Sequence, residues 1–300
     1  MGFCANCGNS VEQTISFCPN CFLDPNVPEE IMDNINREYS FSKQKRRNEL
    51  EIEYPGESSS LALAILISIV VGIAFSLITF GLFLLFLIIS LVYLKLRVAF
   101  IKASYVRCSK KAYANIFNIS KLAAYRLNIP LYPVYIELNP KINAYTSGFW
   151  GDHWIILYSG LLNHLAVDEV LFVIGHEMGH IKKEHTTWLN LSSPTSNYAL
   201  PIITDILRVI FNNWHLKSEY SADRAGLIAT KKLSISTSAL IKLIGEKDSI
   251  KIEEYLKEFE NKSSDPLFKI GEYFQDHPYI PNRIKKLQEF AKNKKEMFGG

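Results

Sequence analysis

The chain has 300 residues, enough for one ordinary domain with accessories or two small domains. Hydrophobic residues make up 48% and charged residues 21%, which excludes a disordered chain, and 15 Gly with 12 Pro exclude collagen-like or low-complexity character. With 33 basic and 30 acidic residues the net charge of +3 is too balanced for a nucleic-acid binder, so no nucleic acid is expected as a partner.

Four of the five cysteines lie within the first 21 residues, as the pairs Cys4/Cys7 and Cys18/Cys21. Two C-x-x-C pairs at this separation match the ligand spacing of a small tetrahedral zinc site. Disulfides are the rival reading, but Met1-Gly2-Phe3 shows neither the basic nor the apolar region of a secretory signal. A segment of about 25 residues cannot bury a core, so a structural metal must hold it together. Cys108 stands alone and reads as a buried or idle thiol. Asp24 to Ser60 is polar and reads as a solvated linker, helical from Glu29 to about Leu50. Its basic cluster Lys43–Arg47 suits anionic lipid headgroups.

Leu61 to Leu94 carries no charged residue, well beyond the roughly 18 apolar residues that mark a membrane span. One straight helix of this length would measure about 51 Å against a hydrocarbon core of about 30 Å. A hairpin fits better, with limbs Leu61–Ile78 and Leu82–Phe100 around Thr79-Phe80-Gly81. Basic residues flank both ends, the pattern of a hairpin whose two ends face the cytoplasm. A thiolate zinc site also suits a reducing compartment.

Val170–Glu184 reads VLFVIGHEMGHIKKE and contains His176-Glu177-Met178-Gly179-His180. Positions four apart share a helix face, so both imidazoles can reach one Zn²⁺ while Glu177 sits beside the open coordination position as general base. His185, five residues past His180, falls on a different face, and the longer metzincin spacing is absent. Glu219 and Asp223 form a second i, i+4 pair on a helix predicted from Glu219 to about Thr230. Glu219 supplies the carboxylate of a His₂Glu site. Asp223 accepts from the outer N–H of a ligand imidazole. Small Ser221, Ala222, Ala225 and Gly226 permit close packing against the first helix. Tyr198–Trp214 reads as a separate amphipathic helix on the membrane or against the domain.

Strands are predicted over Pro133–Leu138, Asn143–Phe149 and His153–Tyr158, the last two joined by Trp150-Gly151-Asp152. His153 reads as a surface turn residue. The polar stretches Ser192–Asn197 and Lys247–Asp265 are candidates to cover a cleft.

Four motifs in order resemble the HtpX-like and CAAX-prenyl-protease-like membrane zinc metallopeptidases: Asn143-Ala144-Tyr145 with Gly148, His176-Glu177-x-x-His180, Glu219-x-x-Ala222-Asp223, and His277-Pro278 with Arg283. The resemblance covers about residues 100 to 290. It implies substrate binding along Asn143, Ala144 and Tyr145, with the edge strand pairing to an extended peptide. It also implies His277 as the oxyanion donor, and Arg283 orienting a carboxylate or the His-Pro loop. Two hydrophobic segments that follow the H-E-x-x-H helix in many members are lacking, and the zinc ribbon is not a general family feature. CAAX processing would need a prenylated substrate and a multi-helix chamber that one hairpin does not build.

The expected fold is α+β: a mostly helical zincin-type domain with a small antiparallel sheet, preceded by a transmembrane hairpin and a zinc ribbon. Residues 1–25 are the ribbon, 26–60 the linker, 61–100 the membrane segment and 101–300 the metallopeptidase domain. Two zinc ions are expected, one catalytic and one structural. The expected function is a membrane-anchored zinc endopeptidase acting on membrane or misfolded proteins or specific peptides. It would lie in the inner membrane with ribbon and peptidase facing the cytoplasm. The alternative is a catalytically latent membrane adaptor that recruits a protein partner through the ribbon.

Overall fold

The computed structural model describes residues 2–12, 17–38, 52–79 and 81, scattered positions from 85 to 100, and residues 103–149, 152–192, 201–243, 257, 259 and 277–294. In chain order, a two-stranded ribbon, β1 (Gly2–Phe3) and β2 (Ser10–Val11), precedes α1 (Glu29–Glu38) and the apolar helix α2 (Glu57–Ile78). Then come β3 (Val106–Arg107), α3 (Ala114–Leu127), β4 (Val134–Glu137), β5 (Ala144–Phe149) and β6 (Asp152–Tyr158). The helices α4 (Ser159–His164), α5 (Val167–Lys182), α6 (His185–Ser192), α7 (Pro201–Thr230), α8 (Leu233–Lys242) and α9 (Ile280–Asn293) complete the body.

The sheet order is β3-β4-β6-β5. It is mixed, not the antiparallel sheet the sequence predicts: β4 runs parallel to β6, while β3–β4 and β5–β6 are antiparallel. The reason is connectivity. β5 folds back on β6 with Ala144 opposite Leu157, which places β6 between its hairpin partner and β4. Among the described residues β5 is thereby left as an edge strand. His153 lies within β6 and is 2% exposed, so it is an interior strand residue and not part of a surface turn.

α5 is the central helix. Its sequence is apolar through Val170–Ile174 and it is buried on every side, which suits its position between the sheet, α3, α7 and α8. At its start the Glu169 carboxylate accepts from the Ala166 N–H at 2.7 Å, satisfying an otherwise unpaired helix-end donor. Two glycines set its distance from α7. A Cβ on Gly175 would lie 2.5 Å from the Ala229 Cβ, and one on Gly179 would lie 2.6 Å from the Ala225 Cβ. Of the small residues predicted to permit close packing, Ala222, Ala225 and Gly226 lie at this crossing, whereas Ser221 turns to Glu57 of α2. α7 runs unbroken from Pro201 to Thr230, where the sequence reading has two separate helices. Pro201 at the first position needs no N–H partner, and no later proline interrupts the run.

The four cysteine sulfurs converge. Cys4 Sγ lies 3.7 Å from Cys21 Sγ and Cys7 Sγ lies 3.6 Å from Cys18 Sγ. These are not disulfide lengths, which are about 2.05 Å. They match the edge of a tetrahedron built on Zn–S bonds of about 2.3 Å, which is about 3.8 Å. Cys108 is buried apart from them, and burial pushes its thiol up to about 12.

The linker reading needs correction at both ends. Leu23, Met32 and Ile52 belong to the main core. Asp24 pairs with the buried Arg126 of α3 at 2.9 Å, and Asn118 of α3 donates to the Cys21 carbonyl at 2.8 Å. The ribbon thus sits on the main body of the fold. Burial of apolar surface holds it there: Leu23 joins the main core, and Phe22 and Val27 pack against that core. The expected continuation of α1 over residues 39–50 lies outside the described residues, as does most of the predicted second hairpin limb, Leu82–Phe100. The polar stretches at 193–197 and 247–256 lie outside them too. Among the described residues one helix, Glu57–Ile78, is long and apolar enough to cross a membrane, and 6% of its apolar window is buried. At 22 residues it measures about 33 Å. It docks through Leu61, Ala64 and Ile65 against Phe211 and Trp214 of α7, and Leu66, Ile69, Val70, Ile73, Leu77 and Ile78 beyond them are exposed.

Candidate metal centre

His176 and His180 come one turn apart on α5, and Glu219 faces them from α7. The His176 and His180 Nε2 atoms are 3.1 Å apart. The Glu219 carboxylate lies 3.3 Å from His180 Nε2 and 3.8 Å from His176 Nε2. Tetrahedral zinc with bonds of about 2.0–2.1 Å would place its donors about 3.3–3.4 Å apart. The observed separations, those to Glu219 reaching one oxygen each, bracket this spacing, and the donor set fits one such ion. All three residues are buried.

Each imidazole presents Nε2 inward and is held from behind by Nδ1. His176 Nδ1 lies 3.0 Å from Asp223 Oδ1. Asp223 in turn accepts two bonds from Arg283 of α9, Nε to Oδ2 at 2.9 Å and Nη2 to Oδ1 at 2.6 Å. Burial pushes the Asp223 carboxyl up, but the Arg283 guanidinium outweighs it and holds it below its ordinary value. Asp223 thus raises the Arg283 guanidinium although burial opposes this.

His180 Nδ1 lies 3.0 Å from Nδ1 of His185. The sequence reading places His185 on another face because it continues the helix through it. The structure ends α5 at Lys182, and Glu184 takes a left-handed φ of 58°, so His185 opens α6 turned back toward His180. Its Nε2 lies 2.6 Å from Glu57 of α2. Burial pushes His185 down to about 4, with Glu57 pulling the other way.

Glu177 points toward the cleft, where the Thr146 hydroxyl donates to its Oε2 at 2.6 Å. Thr146 escapes the sequence reading. The available signal is the period of two along β5, which puts Ala144 and Thr146 on one face and Tyr145 on the other. Tyr145 accordingly packs against Tyr158, ring centroids 6.0 Å apart, in the Tyr135–Trp154 cluster behind the sheet. Its side chain is not in the cleft. Asn143 and Ala144 are, together with His176, Glu177, His277 and Arg283, around a volume of about 440 Å³.

His277 stands half-exposed on the cleft rim with Nδ1 2.8 Å from Glu219 Oε2, and His215 Nε2 lies 3.7 Å from the other Glu219 oxygen. Burial pushes the Glu219 carboxyl up. His277, His180 and His215 outweigh it and hold it well below the usual carboxylate range.

A central helix carrying two imidazoles and a carboxylate, with the third donor on a crossing helix and an edge strand beside an open cleft, defines a metallopeptidase domain of the H-E-x-x-H class. The model of peptidase family M48 matches residues 114–291, more than half of the chain, and the chain belongs to that family. It is 26% identical over 209 residues to the plastoglobule-localized metallopeptidase 48, chloroplastic, of Arabidopsis thaliana, covering 63% of this chain and 60% of that protein. It is 22% identical over 213 residues to CAAX prenyl protease 1 of Saccharomyces cerevisiae, covering 57% and 47%. Among solved structures, the crystal structure of S. mikatae Ste24p aligns with a TM-score of 0.46 at 19% identity, over 77% of this chain and 65% of that one. The matched region spans about half to three-fifths of these two curated relatives.

Proposed function

We propose that the chain is a membrane-anchored zinc endopeptidase acting on membrane or misfolded proteins or on specific peptides. The convergence of His176, His180 and Glu219 beside Glu177 carries this reading. His176, His180 and Glu219 would hold the catalytic zinc, and Cys4, Cys7, Cys18 and Cys21 a structural one. Bound there, zinc supplies a Lewis acid that acidifies water and polarises a carbonyl. Glu177 takes the proton from the attacking water and passes it to the leaving amine. Thr146 holds the Glu177 carboxylate in one orientation for that transfer. An extended peptide adds along the outer edge at Asn143 and Ala144, where β5 begins, which fixes the scissile bond beside Glu177. His277, on the rim, donates to the oxyanion. Arg283 and Asp223 hold His176.

The membrane arrangement follows from a packing argument. The ribbon rests on the peptidase body through Asp24, Leu23 and Cys21, so both must occupy the same side of the bilayer. If α2 crosses, the chain must return before Ser104. The 23 residues from 80 to 102, extended as a helix, measure about 35 Å, enough for that return. This supports the hairpin, and a thiolate site supports the cytoplasmic side.

The test is cleavage of an unfolded protein such as casein by the full chain in detergent, against Glu177→Gln. Wild type should cleave, and Glu177→Gln should keep its zinc and lose activity by at least about 100-fold. Equal cleavage by both would remove Glu177 as the base. Cleavage by neither, with both metals bound, would favour the adaptor reading.

A further inference from the structure

The apolar helix is fastened to the metal centre by its first residue. Glu57 opens α2 and is 3% exposed. One of its oxygens lies 2.6 Å from His185 Nε2, and the other accepts from the Ser221 hydroxyl, which sits on α7 between Glu219 and Asp223. The backbone N–H of Tyr54 donates to the same hydroxyl at 2.7 Å. Lys217 of α7 reaches the Ser60 hydroxyl at 2.6 Å. A carboxylate held this deeply, at the foot of a helix whose remainder is apolar, has a large desolvation cost that only specific partners offset.

The hydrogen positions along this line are fixed by chemistry. A carboxylate can only accept, so His185 carries its hydrogen on Nε2 toward Glu57. Two ring nitrogens in hydrogen-bond contact share one hydrogen, so His185 Nδ1 and the atom opposite it are one donor and one acceptor. Facing it at 3.0 Å is Nδ1 of His180, whose Nε2 points to Glu219 and His176. A His180 that holds a metal through its Nε2 lone pair carries its hydrogen on Nδ1, so His180 donates and His185 Nδ1 accepts. The line is His180 to His185 to Glu57. It parallels the shorter line from His176 to Asp223, but ends on the anchor instead of on the domain.

We propose that Glu57, acting through His185, is a positioning residue that fixes the tautomer and orientation of His180, so that the seating of the membrane helix sets the geometry of the metal centre. This rests on His176, His180 and Glu219 being the metal ligands. Partners of this kind behind a ligand imidazole change metal affinity about 10–100-fold when removed.

The experiment measures zinc affinity of the His–Glu site by chelator competition in the full-length detergent-solubilised chain, with the thiolate site as internal reference. Glu57→Ala and His185→Phe should each weaken that site about 10–100-fold. The double variant should be no weaker than either, because the two act in series. Glu57→Gln, which keeps an acceptor oxygen, should fall between wild type and Glu57→Ala, and it carries the test if Glu57→Ala does not fold. A Glu57→Ala protein that melts earlier yet binds zinc as wild type does would reduce Glu57 to a helix staple and overturn the proposal. Additive losses would also overturn it. Affinity is read whether or not the enzyme cleaves. A wild type that binds zinc and cleaves nothing therefore counts against the peptidase reading alone.

Discussion

Arg283 acts on a carboxylate that cannot reach water. Asp223 is 1% exposed and receives both Arg283 bonds, one on the oxygen that faces His176. Removing one partner of a buried pair leaves an uncompensated charge, at a cost of about 3–5 kcal/mol. Arg283→Met should therefore lower the melting temperature and weaken zinc binding together. Arg283→Lys should not restore either, because a point charge cannot reproduce the two-pronged contact. Thr146 acts differently. Its hydroxyl touches only the base side of the site, so Thr146→Val should lower kcat by about 10-fold, the weight of one hydrogen bond to a charged group, and leave zinc affinity unchanged. Steady-state kinetics beside a zinc titration separates the two cases. The residues that converge at the candidate metal centre were legible because each pair sits four apart on its own helix, a spacing visible within five letters. Thr146, His185 and Glu57 were not. Thr146 meets Glu177 across 31 residues, and Glu57 meets His185 across 128. Both contacts are created by tertiary packing that no local pattern encodes.

The crossing of α5 and α7 converts two local motifs into one site. Gly175 and Gly179 bring the helices close enough for Glu219 to stand 3.3 Å from His180 Nε2. Gly179→Ala offers higher helix propensity by about 1 kcal/mol, yet its Cβ would lie 2.6 Å from the Ala225 Cβ and 3.0 Å from the Ala222 Cα. Overpacking of this kind costs about 1–3 kcal/mol. The substitution should thus destabilise the fold and, by pushing the helices apart, weaken zinc binding. Adding Ala225→Gly should return both toward wild type, which thermal melts and a zinc titration of the double variant would check. The small residues of α7 foretold this contact from sequence alone. The continuity of α7 was obscured because its N-terminal half mixes Asp205 and Arg208 with apolar residues and suggests a separate amphipathic piece. The mixed sheet was obscured because strand direction depends on which non-adjacent strands meet, and β4 meets β6 only after β5 has folded back.

At the scale of the molecule, the ribbon behaves as part of the peptidase body and not as a tethered module. Asp24 neutralises Arg126, which also donates to the Ala229 carbonyl near the end of α7 at 2.6 Å, and Leu23 lies in the main core. If the four sulfurs hold the proposed structural metal, its loss should disturb the body as well as the ribbon, since a segment of this size would hold its shape through that metal. The four tryptophans, at positions 150, 154, 188 and 214, all lie outside the ribbon, and Trp154 and Trp214 are fully buried in the body. Their fluorescence reports on the body alone. Cys7→Ser should lower the melting temperature read by tryptophan fluorescence. If the displaced ribbon leaves Arg126 without Asp24, about 3 kcal/mol is lost, which is a shift of about 6–12 °C for a domain of 150–250 residues. An independent recruiting module predicts no shift at all in that signal. Asp24→Asn separates the two links in the chain of cause, because it keeps the metal and removes only the charge pair. Melting near the Cys7→Ser value would place the coupling in the Asp24–Arg126 contact, and melting near wild type would place it in the apolar packing of Leu23 and Phe22 with the main core.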